Sequence, residues 1–345
     1  MNVTAQPRLL TRNKCIATIE RLHVITSCTP YQENCQVSKD LSVAESIETL
    51  DAFNKEYAFK INPELTPEQK YQLLQVLWNY KNAFARNLSE IGVYKHHQMT
   101  LGPIDENKRS YRRQFRLSIA DAQEIEKQID NMLQSGIIEP AESHEYNSPV
   151  FLVSKKSGAK RLVIDLRGIN ALLRPKILVL PRIGELIDEI GARKPKYLSS
   201  VDMYSGYYQV SIAKDSRKFT CFTSPLTGNR FQHARAPMGC VCSPGAFLTC
   251  LNECFAGKGQ RSRFYVYVDD LLCLGKTWEE HLHNLGDMFA ILHENNLKAN
   301  NTKCKFGYTQ LDFLGHTISS EGIRIARDKF KVIDKIAPPS NRKSL

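Results

Sequence analysis

The stretch that most restricts what this chain can become is Tyr267-Val268-Asp269-Asp270. Phe264-Tyr265-Val266-Tyr267-Val268 leads into it and Leu271-Leu272-Cys273-Leu274 follows, two apolar runs of strand length rich in aromatic and β-branched residues. Two adjacent carboxylates at that join, with no basic neighbour nearer than Arg263 and Lys276, are costly to bury and add nothing to packing. A hairpin that carries them to its tip removes the conflict. A divalent cation would offset the remaining charge, because magnesium takes carboxylate and water oxygens together with substrate phosphates. Alone, an Asp-Asp pair between strands is usually a solvated turn.

A second acid in a matching setting gives the pair more meaning. Tyr197-Leu198-Ser199-Ser200-Val201 is strand-like and ends at Asp202, followed by Met203-Tyr204-Ser205-Gly206-Tyr207-Tyr208-Gln209. If the two strands are neighbours, three carboxylates could hold two metal ions about 3.5–4 Å apart, the clamp used in phosphoryl transfer.

Charge and composition agree with a polyanionic partner. The net charge is +11 and the pI about 9.1; lysines and arginines that neutralise phosphates release counterions whatever the base sequence. With 345 residues, 42% of them hydrophobic, the chain can bury a sizeable core. The ten cysteines lack zinc-site spacing, and several sit in apolar runs as small hydrophobes. The absence of a long apolar run at the N-terminus or elsewhere argues against secretion and membrane spanning, and implies a reducing interior compartment.

Along the chain, residues 1 to 55 show no sustained periodicity and read as a linker. Thr66-Pro67-Glu68-Gln69 has the form of a capping box, and Leu73, Leu74, Leu77, Tyr80 and Phe84 continue it as a helix of about five turns. A second helix starts at Ser118, aligns Ile125, Ile129, Met132 and Leu133, and stops at Gly136. Between them Lys108-Arg109-Ser110-Tyr111-Arg112-Arg113 interleaves cations with an aromatic, either a solvated loop or a phosphate contact. Val150–Val153 and Arg161–Ile164 form a hairpin whose tip carries Lys155, Lys156 and Lys160 around Gly158, able to grip a triphosphate or to stay a charged turn. Residues 218–222 and 229–232 read as strands. The loop from Ala236 enters a helix with Ser243 as cap and Pro244 as its first residue. Residues 278–293 form a helix with His281 and His283 on its surface, and 312–318 another strand pair.

Several of these stretches, in order, carry a resemblance. Arg161-Leu162-Val163-Ile164-Asp165-Leu166-Arg167-Gly168-Ile169-Asn170 precedes Ser200 to Gln209, Ala236-Pro237-Met238-Gly239 and Tyr267-Val268-Asp269-Asp270. Asn296-Leu297-Lys298-Ala299-Asn300 with Lys303-Cys304, and Phe313-Leu314-Gly315-His316, complete the series. Gly136-Ile137-Ile138-Glu139-Pro140 and Asn147-Ser148-Pro149-Val150 lead into it. Over residues 65 to 340 the chain resembles the reverse transcriptase of gypsy-like long-terminal-repeat retrotransposons, part of a retrovirus-related Pol polyprotein.

The resemblance implies an α+β right-hand polymerase fold of fingers, palm and the start of a thumb, the palm an antiparallel sheet with packed helices. It divides the chain into a linker or poorly ordered segment at 1–55, a helical segment ahead of the fingers at 56–117, and fingers and palm with a truncated thumb at 118–345. Asp202, Asp269 and Asp270 match the catalytic carboxylates that hold two Mg2+ ions, with Mn2+ as a substitute. Lys155, Lys156 and Arg161 match the residues that hold the β- and γ-phosphates, and Met203 would lend a backbone carbonyl to a metal. Tyr207 matches an aromatic gate whose ring leaves no room for a 2′-hydroxyl. Met238 and Gly239 border the nucleotide, Met238 standing where the retroviral branch has glutamine, so that its contact is packing. Phe313, Leu314, Gly315 and His316 match the grip on the primer.

The implied reaction is RNA-directed DNA synthesis, transferring deoxynucleotides to a primer 3′-hydroxyl, one metal activating that hydroxyl and the other stabilising pyrophosphate. The partners implied are an RNA template, a DNA or RNA primer and deoxynucleoside triphosphates, without a membrane, in the cytoplasm, in virus-like particles or in the nucleus. No protease motif, zinc knuckle, integrase or ribonuclease H region is expected in this piece. A catalytically dead nucleic-acid-binding remnant is the alternative from another class. An RNA-templated RNA polymerase would share the acids, but Tyr207 opposes it.

Overall fold

Tyr197–Asp202 is the middle strand of a five-stranded sheet that runs, in spatial order, Lys60–Ile61, Lys305–Tyr308, Tyr197–Asp202, Asp270–Gly275, Phe264–Tyr267. All neighbours are antiparallel except the first pair. The computed structural model describes residues 46–142, 145–154, 158–175, 180–256 and 263–326, all within one compact unit, residues 45–345. Lys155 and Lys156 lie outside the described residues.

The two-residue period of the strands sorts their side chains between two cores. Val201, Leu271, Cys273 and Phe264 face the larger one, with helices Ser243–Phe255 and Trp278–Glu294. Leu198, Leu272, Leu274 and Tyr265 face the other way, toward helix Ile183–Ala192 and the sheet of Gln310–Phe313, His316–Ser319 and Gly322–Ile325. Asp202 shares the phase of Leu198 and so points away from the two large helices. Phe222, Phe247, Phe255, Phe264, Phe289 and Phe306 are fully buried, each contributing on the order of 1.5–3 kcal/mol.

Beside the five-stranded sheet stand the hairpin Val150–Ser154 with Lys160–Ile164, and a sheet in which Arg230–His233 lies between Ile138–Pro140 and Phe222–Thr223. Helix Ile119–Gln134 is capped by Ser118, whose hydroxyl accepts from Asp121 N, and ends before Gly136 at φ 63°. The Gln128 carboxamide ties this helix to the hairpin through Leu162 N at 2.9 Å and Lys160 O at 3.2 Å.

Several expectations need correction. A helix, Ile47–Tyr57, occupies the end of the stretch taken as a linker, capped by Ser46 and burying only Leu50 and Phe53, too few positions to show as a period. The residues ahead of the fingers are not a separate helical piece, because Lys60–Ile61, Phe84–Ala85 and Gln98–Met99 all pair with strands from 211–306. The capping box at Thr66 and Gln69 is formed, but its helix ends at Asn79 and Phe84 lies in a strand. Leu133 is exposed. Ser243 is the first helical residue, and its hydroxyl donates to Pro237 O at 2.7 Å instead of capping. Residues 218–220 form a 3-10 turn, leaving a two-residue strand at Phe222. His281 is fully buried, sharing a 2.8 Å hydrogen bond between its Nε2 and Ser199 Oγ, and burial lowers its pKa to about 3. His283 is exposed, as expected.

Candidate active site

Strand register brings the acids together. Asp270 lies directly opposite Asp202 across the antiparallel pair, with Leu271 opposite Val201. Tyr267 pairs with Asp270, so Val268 and Asp269 form a two-residue loop. Asp269 O accepts a hydrogen bond from Met203 N at 3.3 Å, joining the loop to the residue after Asp202. Val268 has φ 54°, unusual for a β-branched residue.

The charges interact as this placement requires. Burial, then the charge of Asp202, raises the pKa of both Asp269 and Asp270, while Lys303 lowers both. Lys303 Nζ sits 3.2 Å and 3.4 Å from the two carboxylate oxygens of Asp202. A cavity of about 540 Å³ opens here. Asp202, Asp269, Met203, Tyr207, Met238, Arg161 and Lys303 all stand on its wall. Asp270 does not line it.

Tyr207 is positioned by its neighbours. Ser205 at φ 46° turns the chain into the 3-10 segment Gly206–Gln209, and the Tyr207 ring meets Phe247 at 5.9 Å and 75°. Gly206 is required there, since a Cβ would lie 2.6 Å from the Phe247 ring. Burial, then the charge of Asp269, holds the Tyr207 hydroxyl above its ordinary pKa. Buried Gln209 braces the segment from below, donating to Tyr204 O and Lys298 O and accepting from Lys298 N.

The loop bearing Met238 turns at Gly239, φ 88°, and Asn170 holds it by donating to Gly239 O at 2.8 Å and accepting from Val241 N at 3.0 Å. Asp165 is clasped by Arg167 at 2.8 and 2.7 Å, which lowers its pKa.

Residues 153–318 match the family described as reverse transcriptase (RNA-dependent DNA polymerase). The chain carries a reverse transcriptase domain. It is 32% identical over 281 residues to the retrovirus-related Pol polyprotein from transposon 412 of Drosophila melanogaster, covering 80% of this chain and 22% of that one. It is 25% identical over 287 residues to the Pol polyprotein from transposon gypsy of the same species, covering 81% of this chain and 27% of that one. The foamy viral protease-reverse transcriptase solved with double-stranded DNA superposes with TM-score 0.73 at 25% identity, covering 86% of this chain and 50% of that chain. The same viral protein with an RNA/DNA hybrid gives 0.71 at 24%, covering 86% and 38%. The fold of the reverse transcriptase domain is the right-hand polymerase fold.

Within this domain, the expected residues divide into two places. Asp202, Met203, Asp269, Tyr207, Met238 and Arg161 share the cavity. Phe313, Leu314, Gly315 and His316 form a separate hairpin that does not line it, with Phe313 buried in the second core. Lys303, Asn170, Gln209 and Gly206 also shape the site, and each stands inside one of the motifs that carry the resemblance.

The acids fit a divalent cation. Asp269 Oδ1 is buried and has no hydrogen-bond partner, and burial with the charge of Asp202 makes the two hairpin carboxyls resist ionisation although Lys303 opposes this. Among the described residues no group of three or more His, Cys, Asp or Glu side chains is gathered so as to hold a metal ion. Asp202 and Asp269 are the pair on the cavity wall.

Proposed function

We propose that this chain is an RNA-directed DNA polymerase, adding deoxynucleotides to a primer 3′-hydroxyl opposite an RNA template. The observation that carries the reading is the placement of Asp202 and Asp269 on one cavity wall with Tyr207 and Arg161. Asp202 and Asp269 would hold magnesium, with Asp270 supporting them electrostatically; the bound ions would activate the primer hydroxyl and neutralise the phosphates. Arg161, opposite Val153 near the tip of the hairpin, offers the nucleotide a guanidinium fork, and Lys155 and Lys156 precede it by a few residues in the sequence. Tyr207, wedged against Phe247, presents a fixed ring where the sugar would rest, so a 2′-hydroxyl would meet it. Met238 and Gly239, held by Asn170, pack against the nucleotide. Phe313 to His316 would guide the primer from the hairpin beside the palm.

The nucleic-acid partners draw on two supports. The foamy viral relatives were solved with DNA and RNA/DNA duplexes. In this chain, the basic run ahead of the fingers is docked as an arm, Arg112 N donating to Asn147 O at 2.9 Å and Gln114 bonding Val150 N and O through its side chain. Tyr111 and Phe115 remain exposed on it beside Arg113 and Arg116, rings for stacking and cations for phosphates. The seven described cysteines are buried as small core residues, and we place the protein inside the cell, in the cytoplasm, in virus-like particles or in the nucleus.

Because the chain spans about a quarter of its Pol relatives, activity must be measured on this chain. Primer extension on an RNA template with Mg2+ should proceed for the wild type and stop for Asp269→Asn. Equal incorporation by both would overturn the assignment. Tyr207→Val should let ribonucleotides in, and an unchanged sugar preference would remove the gate.

A further inference from the structure

The position of Lys303 has a geometric cause. Strand Lys305–Tyr308 pairs antiparallel with Tyr197–Asp202, Lys305 opposite Ser200. Two residues back along one strand and two on along the other, that register sets Lys303 opposite Asp202. Asp270 stands opposite Asp202 on its other side. Lys303, in the turn ahead of strand Lys305–Tyr308, thus stands beside Asp202, which is paired on its other side with Asp270, with Asp269 at the adjoining loop.

Two carboxylates directly opposite each other repel. Lys303 is the cation that meets them, its Nζ 3.2 Å and 3.4 Å from the two carboxylate oxygens of Asp202. Its turn is tied down on both sides. Asn300 Oδ1 accepts from Thr302 N at 3.1 Å, Asn300 O accepts from Lys303 N at 3.2 Å, and Asn301 Nδ2 donates to Tyr57 O at 2.6 Å. The Lys303 side chain itself is 62% exposed, so it can swing away without unfolding anything.

We infer that Lys303 is the resident counter-ion of these acids and competes with a divalent cation for Asp202. The inference rests on the metal reading above and adds a second state to it. Without metal, the ammonium occupies the Asp202 oxygens and lets the acids fold into place. When a cation arrives, Lys303 must leave Asp202, so metal affinity is set by the loss of one ion pair as well as by the carboxylates. Lys303 is a positioning residue in this scheme, acting through Asp202.

Mn2+ titrated into the metal-free chain, followed by the loss of its free-ion electron paramagnetic resonance signal, tests this without turnover. Lys303→Met should tighten Mn2+ binding roughly two- to fivefold at low salt, the range an exposed ion pair permits. The gap should shrink at high salt as screening weakens the pair, and Lys303→Arg should behave as wild type. Metal-free Lys303→Met should melt lower than wild type and recover with Mn2+. In an Asp202→Asn background the same substitution should change nothing, since the competing pair is already gone. Equal Mn2+ affinity for wild type and Lys303→Met at low salt overturns the inference while leaving the metal reading intact. Failure of both proteins to bind Mn2+ overturns the two together.

Discussion

Among the hairpins that close with two-residue loops, two hold those loops differently. Tyr267 and Asp270 enclose Val268-Asp269, with positive φ at Val268 alone, the φ pattern of a type II′ turn, whose first position ordinarily takes glycine. Phe313 and His316 enclose Leu314-Gly315 at φ 50° and 78°, the type I′ pattern, with glycine where it is wanted. The second loop is relieved at Gly315, while Leu314 is held at positive φ. The first keeps a β-branched residue in a left-handed conformation, costing about 1–2 kcal/mol, and that loop carries Asp269. Both loops hold a non-glycine residue at positive φ, but only the loop that carries Asp269 holds a β-branched one there.

The contrast can be broken most severely at the acid. Asp269→Asn should lower kcat for primer extension by at least about a hundredfold without lowering the melting temperature, because it removes a repelled charge. A melting temperature that falls with activity would make Asp269 a folding residue.

Gly315→Ala should act differently, costing about 1 kcal/mol of stability in urea unfolding and raising the KM for the primer that Phe313 to His316 would guide, while kcat stays within twofold. Loss of activity at unchanged stability would bring the second hairpin into the reaction. Val268→Gly sharpens the comparison from the other side. Relief of the strained φ should offset the lost side chain and leave stability level or up by about 1 kcal/mol, with kcat reduced severalfold because Asp269 is held less firmly. A Val268→Gly protein that is both weaker and fully active would remove the link between strain and aim.

The smallest effect is in pH. Burial, then the charge of Asp202, raises the pKa of Asp269 in the metal-free fold. The stability this proton contributes is complete below the unfolded carboxylate pKa and is lost as pH rises through the folded one. Asp269→Asn cannot lose it, so its stability advantage over wild type should grow from acid to neutral pH. A pH-independent difference would contradict the electrostatic account of the acids.

Much of the molecule is legible residue by residue. The strands around Asp202 and Asp270, the acidic hairpin, the Thr66 capping box and the stop at Gly136 all rest on patterns within a few neighbours, and local backbone preferences suffice to form them. Helix Ile47–Tyr57 escaped because two buried residues make no period. His281 escaped because its partner, Ser199, is remote in sequence; a polar residue on a helix looks exposed until the hydrogen bond that permits its burial is known.

The amino-acid sequence alone was enough for the acids, the runs that become their strands and the order of motifs that resembles a polymerase, since each is encoded by alternation and turn chemistry over short spans. Strand order decided the rest. That Lys303 flanks Asp202 while Asp270 flanks its other side, that Tyr207 faces Asp269 across one cavity, and that Phe313 packs away from it, all depend on which strands become neighbours and in which register. Those choices are made by the burial of two opposed cores over the whole palm, a sum over distant residues that no local pattern contains.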